Sequence, residues 1–157
     1  MAVVVGDPGG PVESVEVAND ADGGFTYRQY HNERDLAQVM HLVDNELSEP
    51  YSIFTYRYFL RNWPSLCYLV YDGDRCFGTI VCKLDEHAGR MRGYLAMLVV
   101  EREYRHKGVG TQLVMKAISG MIEQGCEEVT LEAEVTNQGA LKLYQNLGFI
   151  RDKRLRR

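Results

Sequence analysis

The sequence predicts an α+β fold, one domain in which a mixed central sheet is flanked by helices. Three observations carry that expectation. Apolar residues recur at three- and four-residue steps in two adjacent segments and again after residue 108, which places them on single helix faces. Between these segments lie short apolar runs rich in β-branched and aromatic residues, bounded by turn residues as strands are. The length of 157 residues suits one domain able to bury a core.

Residues 1–24 are rich in Gly, Pro and acids and contain no aromatic residue. They read as a disordered acidic leader, with the folded domain spanning 25–157. A strand opens at Phe25. The first helix carries Leu36, Val39, Met40, Val43 and Leu47 on one face, with Asn32 as N-cap. It ends at Ser48-Glu49-Pro50, because proline restricts the residue before it. A second helix starts near Ser52, aligns Ile53, Tyr56, Phe59, Leu60 and Trp63, and stops at Pro64. Two strand runs, 66–72 and 75–84, meet at the tight Asp72-Gly73-Asp74 turn, a hairpin signal. A polar connector over 85–90 leads to a third run, 91–100. A loop then delivers Gly108-Val109-Gly110 and a third helix, which runs to about residue 124 with Gly125 as its stop. Residues 127–135 alternate as a strand, a short helix follows over 137–147, and a last strand starts at Phe149.

Composition excludes several classes. The chain is 45% hydrophobic and 25% charged, with a formal net charge of −4, which is globular and argues against a general polyanion binder. The charge is uneven. Residues 1–24 hold five acids and no Lys or Arg, a net −5, while residues 151–157 hold five basic residues and one acid, a net +4. No apolar run approaches the ~20 residues of a membrane span, and the N-terminus lacks the basic region of a secretory signal. Cys67, Cys76, Cys82 and Cys126 form no CxxC pair and have no His at metal-ligand spacing, so they read as reduced thiols in a cytoplasmic protein with no metal site.

The segment Arg105-His106-Lys107-Gly108-Val109-Gly110 sits between an apolar strand and an amphipathic helix. Glycines let backbone N–H groups approach a phosphate closely, and a helix N-terminus adds favourable partial charge. No Gly-Lys-Ser/Thr follows and no third glycine completes a dinucleotide fingerprint. From these residues alone, a plain strand-to-helix turn with exposed basic side chains reads equally well.

Arg105-x-x-Gly108-x-Gly110 after a strand resembles the acetyl-CoA pyrophosphate loop of the GNAT acetyltransferases. The downstream run Asn137-x-x-Ala140-Leu141-x-Leu143-Tyr144-x-x-x-Gly148-Phe149 resembles that superfamily's second signature. A narrower resemblance is to catalytic subunits of NatC-type protein N-terminal acetyltransferases. It is carried by residues 47–53, 55–59, Trp63-Pro64, 93–98 and 131–135, and covers 25–157. The resemblance implies a GNAT-like acyl-CoA N-acyltransferase domain that moves acetyl from acetyl-CoA to the α-amine of nascent proteins starting with Met and a bulky apolar residue. It also implies a large auxiliary and a small subunit, indirect ribosome association, and no direct contact with nucleic acid or membrane. A GNAT enzyme acting on lysine or a small amine stays open as an alternative, as does a non-catalytic CoA-binding subunit.

The same resemblance implies roles. Glu132 is the general base, acting through a water, and Tyr94 is a second base candidate. By period-2 counting Glu132 shares a face with Glu128, Thr130 and Glu134, which residues alone would make a solvated strand face. Tyr144 is the acid for the leaving thiolate. Leu98, Val99 and Val100 align the pantetheine through their backbone, and Arg105, His106, Lys107, Gly108, Val109, Gly110 and Thr111 form the phosphate loop. Asn137 contacts the cofactor or caps its helix. Leu47, Glu49, Pro50 and Tyr51 line the peptide site, or form an ordinary inter-helix turn. The family continues past the arginine-rich stretch into a further strand. The resemblance therefore implies that the last β-strand is missing here, with the strand from Phe149 left as an unprotected edge and the peptide groove half built.

Overall fold

The computed structural model describes residues 2–5, 23–46, 50–132, 142 and 148–151. Seven strands and three α-helices form one sheet with helices on both faces. The strands are β1 (Ala2–Val5), β2 (Thr26–Gln29), β3 (Tyr68–Asp72), β4 (Arg75–His87), β5 (Arg90–Val100), β6 (Glu128–Glu132) and β7 (Phe149–Arg151); the helices are α1 (Glu33–Asp44), α2 (Ile53–Asn62) and α3 (Val109–Glu123). The sheet order is β2-β3-β4-β5-β6-β1-β7. Strands β2 to β5 run antiparallel, and β6 joins β5 in parallel through the α3 crossover.

Local chemistry sets the helix ends. Asn32 caps α1 by accepting from the backbone of Arg34 and Asp35, and Ser52 caps α2 by accepting from Thr55. Asp35 is buried, where it accepts from Arg28 of β2 at 3.2 Å and from the His31 amide at 2.9 Å. The buried carboxylate therefore ties the first turn of α1 to the neighbouring strand.

The sheet separates two apolar layers. On one face α3 packs Leu113, Val114, Ala117 and Met121 against Phe77, Ile80, Cys82 and Leu95. On the other, α1 and α2 pack Leu36, Val39, Val43, Tyr56 and Leu60 against Leu69, Val81 and Met97. Gly93 permits close approach of α3, since a Cβ there would run into the Met121 side chain.

Two expectations are corrected. The 85–90 connector is mostly strand: β4 and β5 pair through His87↔Arg90 around a tight turn at Ala88-Gly89. The polar residues there occupy an exposed hairpin end, where side-chain polarity carries no penalty. The second correction concerns the leader. Residues 2–5 are a strand, and they lie between β6 and β7, antiparallel to both (Val4↔Thr130 and Val4↔Ile150). The physical reason is the Val3-Val4-Val5 run, β-branched residues suited to a ladder, which satisfies the backbone groups of two strands at once. Among the described residues the strand from Phe149 lies at the end of the strand order, with β1 paired to its inner side. The rest of the leader, 6–22, lies outside the described residues.

All four cysteines are free and buried. Burial pushes the Cys67 thiol up to about 12 and Cys76 up to about 11, from an ordinary 9.0, and holds Cys82 well above that ordinary value. An unfolded chain releases these protons above about pH 9 while the folded chain keeps them. Stability should therefore be complete below about pH 9 and fall as pH rises toward the folded values. Melting temperatures from neutral to about pH 10.5 should show that decline, and Cys67→Ala should make it shallower. A second prediction concerns β1. Val4→Pro removes an N–H from a strand paired on both sides, so amide exchange at residues 149–151 should accelerate and the melting temperature should drop by several degrees. Unchanged exchange there would contradict the bridging role of β1.

Candidate active site

The site is organised by the way β5 ends. Its parallel ladder with β6 runs Arg92↔Glu128, Gly93↔Val129, Tyr94↔Thr130 and Leu95↔Leu131, and the paired register stops there. From Ala96 to Val100 the β6 side of β5 has no strand partner among the described residues. The β4 side continues, with one irregularity: Val81 pairs with Met97 and Cys82 with Leu95, so Ala96 is the extra residue of a β-bulge. The bulge changes which side chains face which layer. Leu95 faces the α3 layer, Ala96 and Met97 both face the α1–α2 layer, and Leu98 returns to the α3 layer.

Beyond Val100 the chain turns through residues 101–108 into α3. His106 has φ +65 and Gly108 has φ +80, both left-handed. Gly108 is the N-cap of α3 and supplies no side-chain cap, so the first-turn N–H groups lack the side-chain acceptor that α1 and α2 have. Arg105, His106 and Lys107 beside it are exposed. Uncapped donors, a helix dipole and adjacent cations make an anion seat. The Arg105 guanidinium is engaged elsewhere: Nε donates to the Val100 carbonyl at 2.7 Å and Nη2 to Glu46 at 3.0 Å.

Across the sheet, on the α1–α2 face, Tyr94 lies in the layer of Tyr56 and Phe59. Lys83 of β4 sits 5.6 Å over the Tyr58 ring and 5.8 Å over the Tyr94 ring, and pairs with Asp85 at 3.0 Å. Pro50 and Tyr51 precede α2 and are exposed, with the Tyr51 ring edge-on to Tyr56 at 5.9 Å. The Tyr56 hydroxyl donates to Asp44 at 2.5 Å, closing the α1–α2 junction from below. Burial, with that bond second, raises the Tyr56 phenol well above its ordinary range.

The β6 face is less wet than alternation alone suggests. Glu128 is ion-paired to Arg92 at 2.9 Å with both side chains mostly covered, and Thr130 is buried and donates to the Gly93 carbonyl at 3.5 Å. By register, position 132 falls on the face of Thr130. The Glu132 side chain lies outside the described residues, as do Leu47, Glu49, Asn137 and Tyr144. The structure thus joins Leu98–Val100, the 105–111 loop and Tyr94 along one strand and its exit, with Pro50 and Tyr51 at the α1–α2 connection. Sequence reasoning missed Glu46, Asp44 and Lys83, whose partners are distant in the chain and leave no local pattern.

This strand, loop and helix arrangement has close counterparts. The acetyltransferase (GNAT) family matches residues 36–149. The chain belongs to the GNAT family. Within it, the sequence is 57% identical over 135 residues to N-alpha-acetyltransferase 30 of Xenopus laevis, covering 85% of this chain and 50% of that protein. It is 58% identical over 134 residues to N-alpha-acetyltransferase MAK3 of Arabidopsis thaliana, covering 85% of this chain and 70% of that one. The chain therefore spans about half the length of the first relative and more of the second. Among solved structures, the NatC complex bound to Gag peptide and CoA aligns with a TM-score of 0.79 at 45% identity, covering 82% of this chain and 86% of the other. The fold is thus the GNAT fold, as the sequence predicted. Among the described residues no helix is long and apolar enough to cross a membrane, and no cluster of metal-ligating side chains occurs.

The anion seat of this GNAT domain depends on the backbone at Gly108. A Cβ there would meet nothing within 4 Å, so Gly108→Ala costs only left-handed strain, about 1–2 kcal/mol. Calorimetry should show affinity for a pyrophosphate-bearing ligand falling about tenfold while the melting temperature drops by only a few degrees. Unchanged affinity would remove the loop from the binding site.

Proposed function

We propose that this chain transfers acetyl from acetyl-CoA to the α-amine of nascent proteins that start with Met followed by a bulky apolar residue, as the catalytic subunit of a NatC-type enzyme. The observation that carries the reading is the stretch of β5 after Leu95, bulged at Ala96 and without a β6 partner among the described residues, which leads to the uncapped start of α3. Backbone along Ala96–Val100 that has no β6 partner among the described residues suits an amide-bearing pantetheine arm, and the α3 seat suits a pyrophosphate. The 45% identity to a NatC subunit seen with CoA and a peptide supports the substrate pair, as do the names of the two relatives.

The chemistry asks little of the protein. A free α-amine has a pKa of about 7.7–8.0, so modest base help suffices. Glu132 accepts the amine proton through a water, with Tyr94 the second candidate. The neutral amine attacks the thioester carbonyl, and the oxyanion is held by backbone donors at the β5 opening. Collapse expels the CoA thiolate, which Tyr144 protonates. Net, an N–C bond forms, a C–S bond breaks, and the amine proton leaves to the base while the thiolate gains one from the acid. The wall formed by Leu47, Glu49, Pro50 and Tyr51 receives the methionine, and Asn137 contacts the cofactor.

In this reading the partners are a large auxiliary and a small subunit, which bring the chain to the ribosome in the cytoplasm. The test is turnover by the purified chain, alone and with auxiliary subunits, of a peptide starting Met-Leu. CoA release should be fast there and slow with Ser- or Ala-starting peptides. Glu132→Gln should lower kcat by roughly a hundredfold and leave CoA affinity unchanged. Turnover of lysine side chains in preference to any N-terminus would overturn the proposal.

A further inference from the structure

Between Val100, where β5 ends, and Val109, where α3 begins, lies the turn from which the phosphate loop hangs. Its first half is a single 3₁₀ turn over Arg102–Tyr104. The Tyr104 amide donates to the Glu101 carbonyl at 2.9 Å and the Arg105 amide to the Arg102 carbonyl at 3.2 Å. This turn is fastened to the β3–β4 hairpin. The Glu101 amide donates to the Phe77 carbonyl at 2.8 Å. The Tyr104 ring stacks on Phe77 with centroids 3.8 Å apart, and its hydroxyl donates to Asp72 at 2.8 Å. Arg75 grips three residues of the segment with one guanidinium. Nη2 donates to Glu101 at 2.7 Å and to Glu103 at 3.0 Å, Nε donates to Glu101 at 3.2 Å, and the group lies over the Tyr104 ring at 5.1 Å from its centroid. Its carboxylate partners are 26 and 28 positions away in sequence.

We propose that Arg75 is a positioning residue for the cofactor: by gripping Glu101, Glu103 and Tyr104 it fixes the turn from which residues 105–108 hang, and so sets the affinity for the diphosphate of acetyl-CoA without touching it. The proposal rests on the acetyl transfer proposed above. Its physical basis is preorganisation. Backbone N–H groups make an anion seat only when they point together. His106 and Gly108 are both left-handed, and ordering such a loop at each binding event costs conformational entropy. A turn fixed in advance removes part of that cost. Arg75 is also a counter-ion for two carboxylates that lie close in sequence to the anion seat. Two donors on one Glu101 oxygen and a guanidinium over the Tyr104 ring are contacts that set position as well as charge.

The Arg75 side chain is 50% exposed, Glu101 25% and Glu103 67%. Exposed pairs contribute little to overall stability, so loss of the grip should leave the fold intact. It is enough to change ligand affinity by about three- to fivefold.

The experiment compares the wild-type chain with Arg75→Ala, Arg75→Lys, the double variant Glu101→Ala/Glu103→Ala, and that double variant combined with Arg75→Ala. CoA affinity is measured by calorimetry, and turnover of a Met-Leu peptide with auxiliary subunits present if it requires them. Arg75→Ala should raise the Kd for CoA and the KM for acetyl-CoA about three- to fivefold. It should leave kcat and the peptide KM within about twofold of wild type. Without ligand, amide exchange at Tyr104 and Arg105 should accelerate. Arg75→Lys should return part of the affinity. The carboxylate double variant should lose about as much as Arg75→Ala, and combining the two should add nothing further. Unchanged CoA affinity in Arg75→Ala overturns the proposal. So does a double variant that binds CoA more tightly than wild type, which would make Arg75 a counter-ion only. A peptide KM that rises as much as that for acetyl-CoA overturns it as well. Arg75-dependent CoA binding without turnover of any N-terminal peptide would sink the proposed function and still support the positioning role, whereas a wild-type chain that binds no CoA overturns both.

Discussion

The bulge at Ala96, where β5 is held by β4 on one side and has no strand partner on the other among the described residues, is the constraint on which the rest of the structure depends. Two parallel strands that stayed paired would bury every backbone group of β5 in the sheet. Here the pairs among the described residues run to Leu95↔Leu131, and the next residue, Ala96, bulges against β4. The five residues from Ala96 to Val100 have no β6-side partner among the described residues, while their side chains stay in the two apolar layers. The strand is held firmly by β4 on one side and offers its backbone on the other. Its exit leads into a helix that begins without a side-chain cap.

That arrangement separates the tasks of the site. Rigid elements carry the backbone groups: β5 is flanked by helices on both faces, and α3 is packed by Val114, Ala117 and Met121. Two contacts hold the end of α1 and the residues just after it, Asp44 to Tyr56 of α2 and Glu46 to Arg105 of the loop. The first of these is buried at its Tyr56 end and belongs to the helix pair. The second is exposed and joins the residues after α1 to the loop before α3.

The N-terminal strand has a comparable logic. Between β6 and β7 there is room for one more strand, and Val3, Val4 and Val5 supply a segment with the right backbone preference. Among the described residues β7 has no direct ladder to β6, so its attachment runs through β1. The expectation of disorder over 1–24 came from glycine, proline and acid content averaged across the segment. A run of three valines is diluted by that average, although it contains the residues a ladder selects.

Periodicity sufficed for α1, α2 and α3, for the β3–β4 hairpin and for the apolar faces, since each depends on neighbours within a few residues. Caps at Asn32 and Ser52 were local too. The glycine turn was legible as an anion seat because its spacing and its place between strand and helix are both written in the chain. Tertiary structure alone decided the rest. The bulge at Ala96 needs β4 to count against. The strand seat of residues 2–5 needs β6 and β7. The Glu46–Arg105 and Arg92–Glu128 pairs join positions 59 and 36 apart. In each case the energy comes from a partner brought near only by the completed sheet, so no stretch of sequence read by itself could announce it.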